Sequence, residues 1–224
     1  MAIIDFPPIE LADENGLLAI GGDLELESLL MAYTRGIFPW PISHEYPLAW
    51  FSPDPRGILY FDKLHVPRRL KRALKDSPFT FKFNSCFEEV INNCAQVSRK
   101  GQSDTWITEE IIEGYHNLHR ADFAYSIEVF NSQKLVAGIY GVYINGFVSG
   151  ESMFFNENNA SKFALISLCQ HLSSKGIKWL DTQMVTPIVS QLGGEEIPRD
   201  QFTNLLSQCF SSSPLSFEQV FSIP

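Results

Sequence analysis

The fold is decided by residues 145–184, which read NGFVSGESMFFNENNASKFALISLCQHLSSKGIKWLDTQM. The Asn-Gly pair at 145–146 is the strongest short hairpin signal, and it turns the chain from GIYGVYI into GFVSGESMFF. A helix predicted from Asn159 to Gly176 then leads to a strand at 177–184. The predicted order is therefore a three-stranded meander, a helix and a further strand.

Unusual polar side chains lie in these predicted strands. Side chains alternate between the two faces of a strand, so Glu151 and Met153 share one face of the first, and Asp181 and Gln183 share one face of the second. A buried charge is costly unless it has a partner. We interpret Glu151, Asp181 and Gln183 as parts of a functional cleft, and the alternative is a structural hydrogen-bond network.

The composition is that of an ordinary globular protein, with 224 residues of which 45% are apolar and 19% are charged. The first residues, MAIIDFPPIELADENG, lack the regions of a signal peptide, and no stretch approaches the roughly 20 apolar residues of a membrane span. We therefore expect a cytoplasmic protein without membrane contact. No metal-ligand or redox spacing links the four cysteines, so we expect reduced thiols and no metal site.

The charge distribution is uneven. A net charge of −9 argues against a polyanion as partner, yet residues 63–75 (KLHVPRRLKRALK) hold six basic residues and no acid. One interpretation is a solvated amphipathic helix with Leu70 and Leu74 facing inward. The other is a contact with phosphate groups, because one basic helix on an acidic protein would hold a nucleic acid in one orientation.

The sequence pattern predicts two units and an α+β fold. Residues 1–60 are rich in Pro, Gly and aromatic residues around one short helix, which begins at an Asp23 cap and ends before Gly36; we expect them to form a small N-terminal domain. The other domain is expected at 61–224, with a mixed β-sheet and flanking helices. Its meander, helix and further strand are similar to the acetyltransferase (GNAT-like) superfamily. Before the meander we predict a strand at FTFKFN and helices at 85–98 and 108–120, and a last helix follows IPRD.

Ordered motifs extend from about residue 15 to 206: NGLLAIGGDL, LLMAYTRGIFPW, SPDPRG, TWIT, SIEVF, LVAGIYGV, GESMFF, NNASKFAL, DTQ and EIPRDQF. On these motifs the chain resembles the leucyl/phenylalanyl-tRNA-protein transferases. The resemblance implies an enzyme that moves Leu or Phe, or Met, from aminoacyl-tRNA to the N-terminal Arg or Lys of proteins and so marks them for N-degron proteolysis. It also implies that the enzyme uses no metal and no coenzyme. We expect a monomer.

The resemblance also implies roles for single residues. Asp181 and Gln183 would serve the transfer step, where Asp181 either accepts the proton of the amine or stabilises the developing charge. Glu151 would help to hold the esterified amino acid. The other implied contacts are the 3′ adenosine for Tyr33 and Trp40, the lining of the site for Trp106, the apolar side-chain pocket for Ile139, Met153 and Leu165, and the acceptor-stem phosphates for Arg68, Arg72 and Lys75.

One departure from the family pattern concerns the pocket, and two other functions stay open. Val148 stands where the family has an aromatic residue, which predicts a larger pocket that favours Phe over Leu. A coenzyme A-dependent N-acyltransferase would share the fold, but its Gly-rich phosphate turn reads NENNASK here. A tRNA-binding module without activity would need the basic helix but not Glu151, Asp181 and Gln183.

Overall fold

The structure is a computed structural model that describes residues 3–41, 48–97, 106–211 and 215–222. Their helices are α1 (Leu26–Thr34), α2 (Arg68–Lys75), α3 (Phe87–Gln96), α4 (Glu109–Arg120), α5 (Ala160–Ser174), α6 (Pro187–Gln191), α7 (Arg199–Ser211) and α8 (Phe217–Phe221). Short 3₁₀ turns occur at Ile9–Leu11 and Phe61–Lys63. None of the helices within these described ranges combines the length and the apolar character needed to cross a bilayer.

The same described ranges contain eleven strands. They are β1 (Leu17–Ile20), β2 (Phe38–Pro39), β3 (Ala49–Phe51), β4 (Arg56–Tyr60), β5 (Phe79–Phe83), β6 (Ala124–Asn131), β7 (Lys134–Ile144), β8 (Phe147–Val148), β9 (Ser152–Phe155), β10 (Trp179–Gln183) and β11 (Glu195–Ile197). The α+β class is thereby confirmed.

The described strands form three sheets, whose ladders are antiparallel. Their strand orders are β1-β3-β2, β10-β4-β11 and β5-β6-β7-β8, and β9 also pairs with β7. A parallel bridge between Ser149 and Asp181 joins the end of β8 to β10, so the last two sheets meet at this point and the arrangement is mixed. Among the described residues no ladder pairs β9 with β10 beyond this bridge.

The meander forms where the sequence predicted it. The turn between β7 and β8 has Asn145 at φ 49° and Gly146 at φ 86°, the left-handed conformations that a tight Asn-Gly hairpin requires. α5 follows Asn159, and the next strand begins at Trp179. The chain leaves α5 at Gly176, whose φ of 85° lets it turn toward β10. The predicted helices at 85–98 and 108–120 are α3 and α4, and the helix predicted after IPRD is α7.

Hydrophobic residues fill two cores on the two sides of the large sheet. The first core joins N-terminal residues such as Leu29 and Trp50 to Phe202 of α7. The second lies between the sheet, α5 and α8, and it includes Leu168 and Phe221. The N-terminal segment therefore packs against the rest of the chain, as its aromatic content predicted.

β4 was missed in the sequence, and it is the middle strand of its sheet. It pairs with β10 on one side and with β11 on the other, although these strands lie more than a hundred residues later in the chain. The division into domains at 1–60 and 61–224 stays a prediction.

Candidate active site

A cavity of about 900 Å³ opens between β9 and β10. Consecutive residues from Gly150 to Asn156 line one wall, and Leu180 with Thr182, Gln183 and Met184 line the opposite wall. The cavity lies where the two strands separate beyond the Ser149–Asp181 bridge. The tertiary structure therefore places Glu151 and Gln183 on facing walls of one cleft.

Glu151 is the acidic residue of this cleft, and its carboxylate is buried. Its Oε1 accepts a hydrogen bond from Ser149 Oγ at 2.6 Å. Its Oε2 accepts from Gln183 Nε2 at 2.9 Å and from Tyr115 Oη at 3.1 Å. Burial raises the pKa of Glu151 above the usual glutamate value, and the hydrogen bonds from Ser149 and Gln183 oppose this shift because they favour the ionised form.

Asp181 lies behind the cleft and has a different set of partners. Its two carboxylate oxygens accept from Arg56 Nε at 2.9 Å and from Arg56 Nη2 at 2.7 Å, and both side chains are almost fully buried. The guanidinium also donates to Gly36 O at 3.0 Å. It stacks between the rings of Phe38 and Phe202, at 4.7 and 4.4 Å from their centroids.

Gln183 is held in an unusual backbone conformation. Its φ is 61°, in the left-handed region that residues other than glycine rarely adopt, and Met184 N donates to Thr182 O at 2.6 Å across it. The Gln183 N–H donates to Asp181 Oδ1 at 2.9 Å. The Arg56–Asp181 pair thus holds the turn that directs the Gln183 amide toward Glu151.

The expectation that Asp181 and Gln183 share one face pointing into the cleft is therefore corrected. Gln183 lines the cavity, but Asp181 is fully buried and is not among the lining residues. The register of β10 against β4 shifts between the two residues, so the simple strand alternation is interrupted there. The Asp181 carboxylate meets the wall of the cleft at the Gln183 N–H.

Aromatic and apolar residues form the remaining walls. Trp40 and Trp106 both line the cavity, and their ring centroids are 6.0 Å apart. Ile139, Met153 and Leu165, the expected pocket residues, line it too. The structure therefore brings these five side chains together with Glu151 and Gln183.

Tyr33 and Val148 do not line the cavity. Tyr33 is 1% exposed, does not line the cavity, and shares a short hydrogen bond with the hydroxyl of Tyr115. Tyr33 therefore meets the site from behind, next to Tyr115 and Glu151, and its expected contact with an adenosine stays a prediction. Val148 is fully buried in the second core and is no cavity residue, so the inference of a pocket enlarged at Val148 is wrong.

The basic segment lies outside the cavity lining. α2 exposes Arg68, Arg72 and Lys75, while Leu70 and Leu74 pack against the second core. In the described part of the chain no acidic group lies within 4.0 Å of a cation of this helix, whereas Lys63 pairs with Glu195 at 2.5 Å. The segment before α2 is attached to the residue that follows α6, because His65 N donates to Leu192 O at 2.9 Å.

Sequence reasoning missed Arg56, Ser149 and Tyr115. Arg56 is the most informative omission, since a single arginine at the start of the apolar run GILY is a signal of a buried charge with a partner. Ser149 stands two residues before Glu151, a spacing that places both on one strand face. No sequence signal pointed to Tyr115.

The described residues contain no group of three or more His, Cys, Asp or Glu side chains that could hold a metal ion. Around Glu151, the polar groups are its carboxylate, the Gln183 amide and the hydroxyls of Ser149 and Tyr115, and all three donors bond to the carboxylate. Such groups can orient an amine and an ester by hydrogen bonds. An α+β fold with a buried carboxylate and amide in an aromatic-walled cleft defines a protein with the site of an acyl-transfer enzyme.

Comparison with known protein families identifies the family of this chain. Residues 58–207 match the model described as leucyl/phenylalanyl-tRNA protein transferase, and residues 22–54 match the model of the N-terminal domain of the same proteins. The chain belongs to the leucyl/phenylalanyl-tRNA protein transferase family, which confirms the resemblance read from its motifs.

Curated relatives agree over most of the chain. A leucyl/phenylalanyl-tRNA-protein transferase of Shigella sonnei is 46% identical over 207 residues, which is 92% of this chain and 87% of that protein. One from Flavobacterium johnsoniae is 44% identical over 201 residues, covering 90% of this chain and 94% of that protein.

Two solved structures with distant matches have related folds. L-PGS from Bacillus licheniformis has a TM-score of 0.43 and 13% identity over 71% of this chain and 52% of that chain. A GCN5-related N-acetyltransferase from Kribbella flavida has a TM-score of 0.39 and 14% identity over 76% of this chain and 59% of that chain. Likenesses at these values carry no argument about the site or the reaction.

Proposed function

We propose that this chain is an aminoacyltransferase that moves Leu or Phe from aminoacyl-tRNA to the N-terminal Arg or Lys of an acceptor protein. The observation that carries the proposal is the cleft between β9 and β10, where Gln183 donates to the buried carboxylate of Glu151 beside aromatic and apolar walls. The family of the chain supports the same reaction.

The reaction is aminolysis of an ester. The acceptor amine attacks the ester carbonyl carbon, a C–N bond forms, the C–O bond to the ribose breaks, and the ribose hydroxyl leaves with a proton. An α-amino group has a pKa near 7.7–8.0, so roughly a tenth of it is neutral at pH 7 and no strong base is needed. Alignment of amine and ester supplies about 7–11 kcal/mol of the barrier reduction.

Glu151 holds the α-amino group of the donor amino acid. A carboxylate offers about four acceptor directions. Donors from Ser149, Tyr115 and Gln183 hold the carboxylate in place, and it also lines the cavity, where an ammonium group can approach the negative charge. An amine of the substrate is the group that fits this position, since the cavity contacts Glu151 directly.

Gln183 orients the substrates, and Asp181 acts through it. The Gln183 amide lies on the cavity wall and has no useful basicity, so its contribution is to hold the nucleophile or the ester by hydrogen bonds. Asp181 is a positioning residue here, because Arg56 neutralises it and its contact toward the cleft is the Gln183 backbone. The proton of the amine then leaves to water or to Glu151.

The remaining residues select and hold the donor. Trp40 and Trp106 offer ring faces for the 3′ adenosine. Ile139, Met153 and Leu165 enclose the apolar side chain of Leu, Phe or Met. Arg68, Arg72 and Lys75 hold the acceptor-stem phosphates, because these cations are exposed and have no acidic partner within the described ranges. The cytoplasm is the compartment that charged tRNA requires, and the monomeric state stays a prediction.

The test is incubation with labelled Phe-tRNA or Leu-tRNA and with peptides that begin with Arg, Lys or Ala. Label is expected in the Arg and Lys peptides, and not in the Ala peptide. The Gln183→Ala variant is the negative control. Transfer from an acyl-coenzyme A instead of the charged tRNA, or tRNA binding without transfer, would contradict the proposal and favour one of the two alternative functions.

A further inference from the structure

The hydroxyl of Ser149 has a fixed direction. Its Oγ accepts a hydrogen bond from Val142 N at 3.2 Å, which places its own proton on the other side, and it donates this proton to Glu151 Oε1 at 2.6 Å. Ser149 is fully buried, so no water competes for this proton. The direction of the hydrogen bond from Ser149 to Glu151 therefore follows from the backbone of β7.

The backbone of Ser149 is fixed as well. Its N–H donates to Val142 O at 2.9 Å, and its carbonyl oxygen accepts from the hydroxyl of Tyr125 at 2.9 Å. Gly141 lies against the same carbonyl so closely that an added Cβ would stand 1.9 Å from the oxygen. The position of Ser149 is therefore fixed by contacts other than Glu151, so its hydroxyl can hold the Glu151 carboxylate in place.

We propose that Ser149 is a positioning residue that keeps the Glu151 carboxylate ionised and oriented toward the substrate amine. The inference rests on the proposed function, since it concerns the residue that holds the donor amino acid. Ionised Glu151 is the form that can accept a hydrogen bond from each of its described partners and still bind an ammonium group. A protonated Glu151 would lose that attraction.

Three tyrosines and Asp181 are the other titratable groups that face Glu151. Burial raises the pKa of the hydroxyls of Tyr33, Tyr115 and Tyr125 well above the usual tyrosine value, so these side chains stay neutral. Asp181, whose negative charge disfavours ionisation of Glu151, stays paired with the cation of Arg56. Replacing Ser149 with Ala therefore removes a donor to Glu151 without changing a charge.

The experiment compares Ser149→Ala with the wild-type enzyme across pH, with phenylalanyl-adenosine as donor and an Arg peptide as acceptor. Loss of a hydrogen bond to the anion raises the pKa of Glu151 further, so the acid limb of kcat/KM is expected to move up by about one pH unit. At pH values below the acid limb, transfer by Ser149→Ala then falls roughly tenfold relative to the wild type, and the two rates converge at higher pH, a change worth one pKa unit.

The chain offers a matched control. Ser126 donates to Glu128 at 2.5 Å with the same two-residue spacing on β6, both residues are buried, and neither lines the cavity. Ser126→Ala is expected to lower stability without moving the acid limb. Ser149→Cys, which keeps the volume but donates weakly, is expected to lie between the wild type and Ser149→Ala, and it replaces Ser149→Ala if that variant does not fold.

An unmoved acid limb in folded, active Ser149→Ala or Ser149→Cys would overturn the inference, as would an equal movement in Ser126→Ala. Absence of transfer in the wild type is a different result, because it would contradict the proposed function alone. If the wild type shows no transfer, the titration of Glu151 is measured instead by NMR of the carboxyl carbons. The Glu151→Gln variant identifies the Glu151 resonance. An upward shift in Ser149→Ala supports the inference, and an unchanged titration overturns it.

Discussion

Arg56 binds both carboxylate oxygens of Asp181 inside the protein, where the two side chains are 1% and 0% exposed. A buried pair of this kind loses about 3–5 kcal/mol when one partner is removed, because the other charge is left without compensation. The pair also holds the backbone of Gln183 through Asp181 Oδ1. Stability and site geometry therefore depend on the same contact.

Asp181→Asn is expected to lower the free energy of unfolding by about 3–5 kcal/mol and to reduce transfer, because the Arg56 cation loses its counter-charge. Urea unfolding and transfer assays measure the two effects. Glu195→Gln is the control, since the exposed Lys63–Glu195 pair is screened by water and its loss changes little. Wild-type stability in Asp181→Asn would show that the buried pair does not stabilise the fold.

Two variants, Gln183→Ala and Gln183→Gly, distinguish the effect of the Gln183 side chain from the effect of its backbone conformation. Both remove the amide that donates to Glu151, so both are expected to lower kcat about a hundredfold or more. Glycine adopts the φ of 61° without strain, so Gln183→Gly is expected to be about 1–2 kcal/mol more stable than Gln183→Ala. Equal stabilities of the two variants would mean that this backbone conformation is not strained.

Met153→Ala is expected to change the choice between Phe and Leu, because Met153 lines the cavity and its truncation enlarges the pocket. Competition between Phe-tRNA and Leu-tRNA should shift toward Phe by about 1–3 kcal/mol at most. Val148→Ala is the matched control, since Val148 is buried in the core away from the cavity. Val148→Ala should lower stability and leave the preference between Phe and Leu unchanged. A change of this preference in the control would show that Val148 belongs to the pocket.

Arg72→Gln is expected to weaken tRNA binding and to lower the slope of log K against log salt by about 0.7–0.9, the contribution of one neutralised phosphate. Amino acid preference should not change, because phosphate contacts position the tRNA without specifying it. Lys134→Gln, an exposed cation at the start of β7, is the control and should leave the slope unchanged. An unchanged slope after neutralisation of Arg68, Arg72 and Lys75 together would place the tRNA elsewhere.

His171 makes stability depend on pH. Its Nε2 lies 2.6 Å from Val220 O in α8, and burial lowers the pKa of its imidazole below the ordinary value of 6.5. The unfolded chain therefore binds the proton more readily, so the stability contributed by neutral His171 is present above about pH 6.5 and is lost as the pH falls below it.

Thermal unfolding of His171→Phe should show a weaker loss of stability on acidification than the wild type. Some loss remains in this variant, because burial lowers the pKa of His116 as well. His65→Asn, at an exposed position, is the control. A pH dependence in His171→Phe equal to that of the wild type would contradict the assignment.

Local patterns in the sequence determined the order of the elements around the site. The Asn145–Gly146 turn, the helix after Asn159 and the stop at Gly176 each act over a few residues, so they could be predicted without tertiary contacts. The polar positions Glu151 and Gln183 were recognisable because such side chains are rare on apolar strands. The motifs identified the family for the same reason, since they are local and ordered.

Only the tertiary structure determined which polar side chains contact one another in the site. Arg56 reaches Asp181 across 125 residues of sequence, and β4 becomes the middle strand of a sheet whose other strands come much later. Strand alternation placed Asp181 and Gln183 together, but a shifted register and a left-handed residue direct one side chain to Arg56 and the other to Glu151. Pairing of this kind depends on contacts between distant segments, which a local sequence pattern cannot encode.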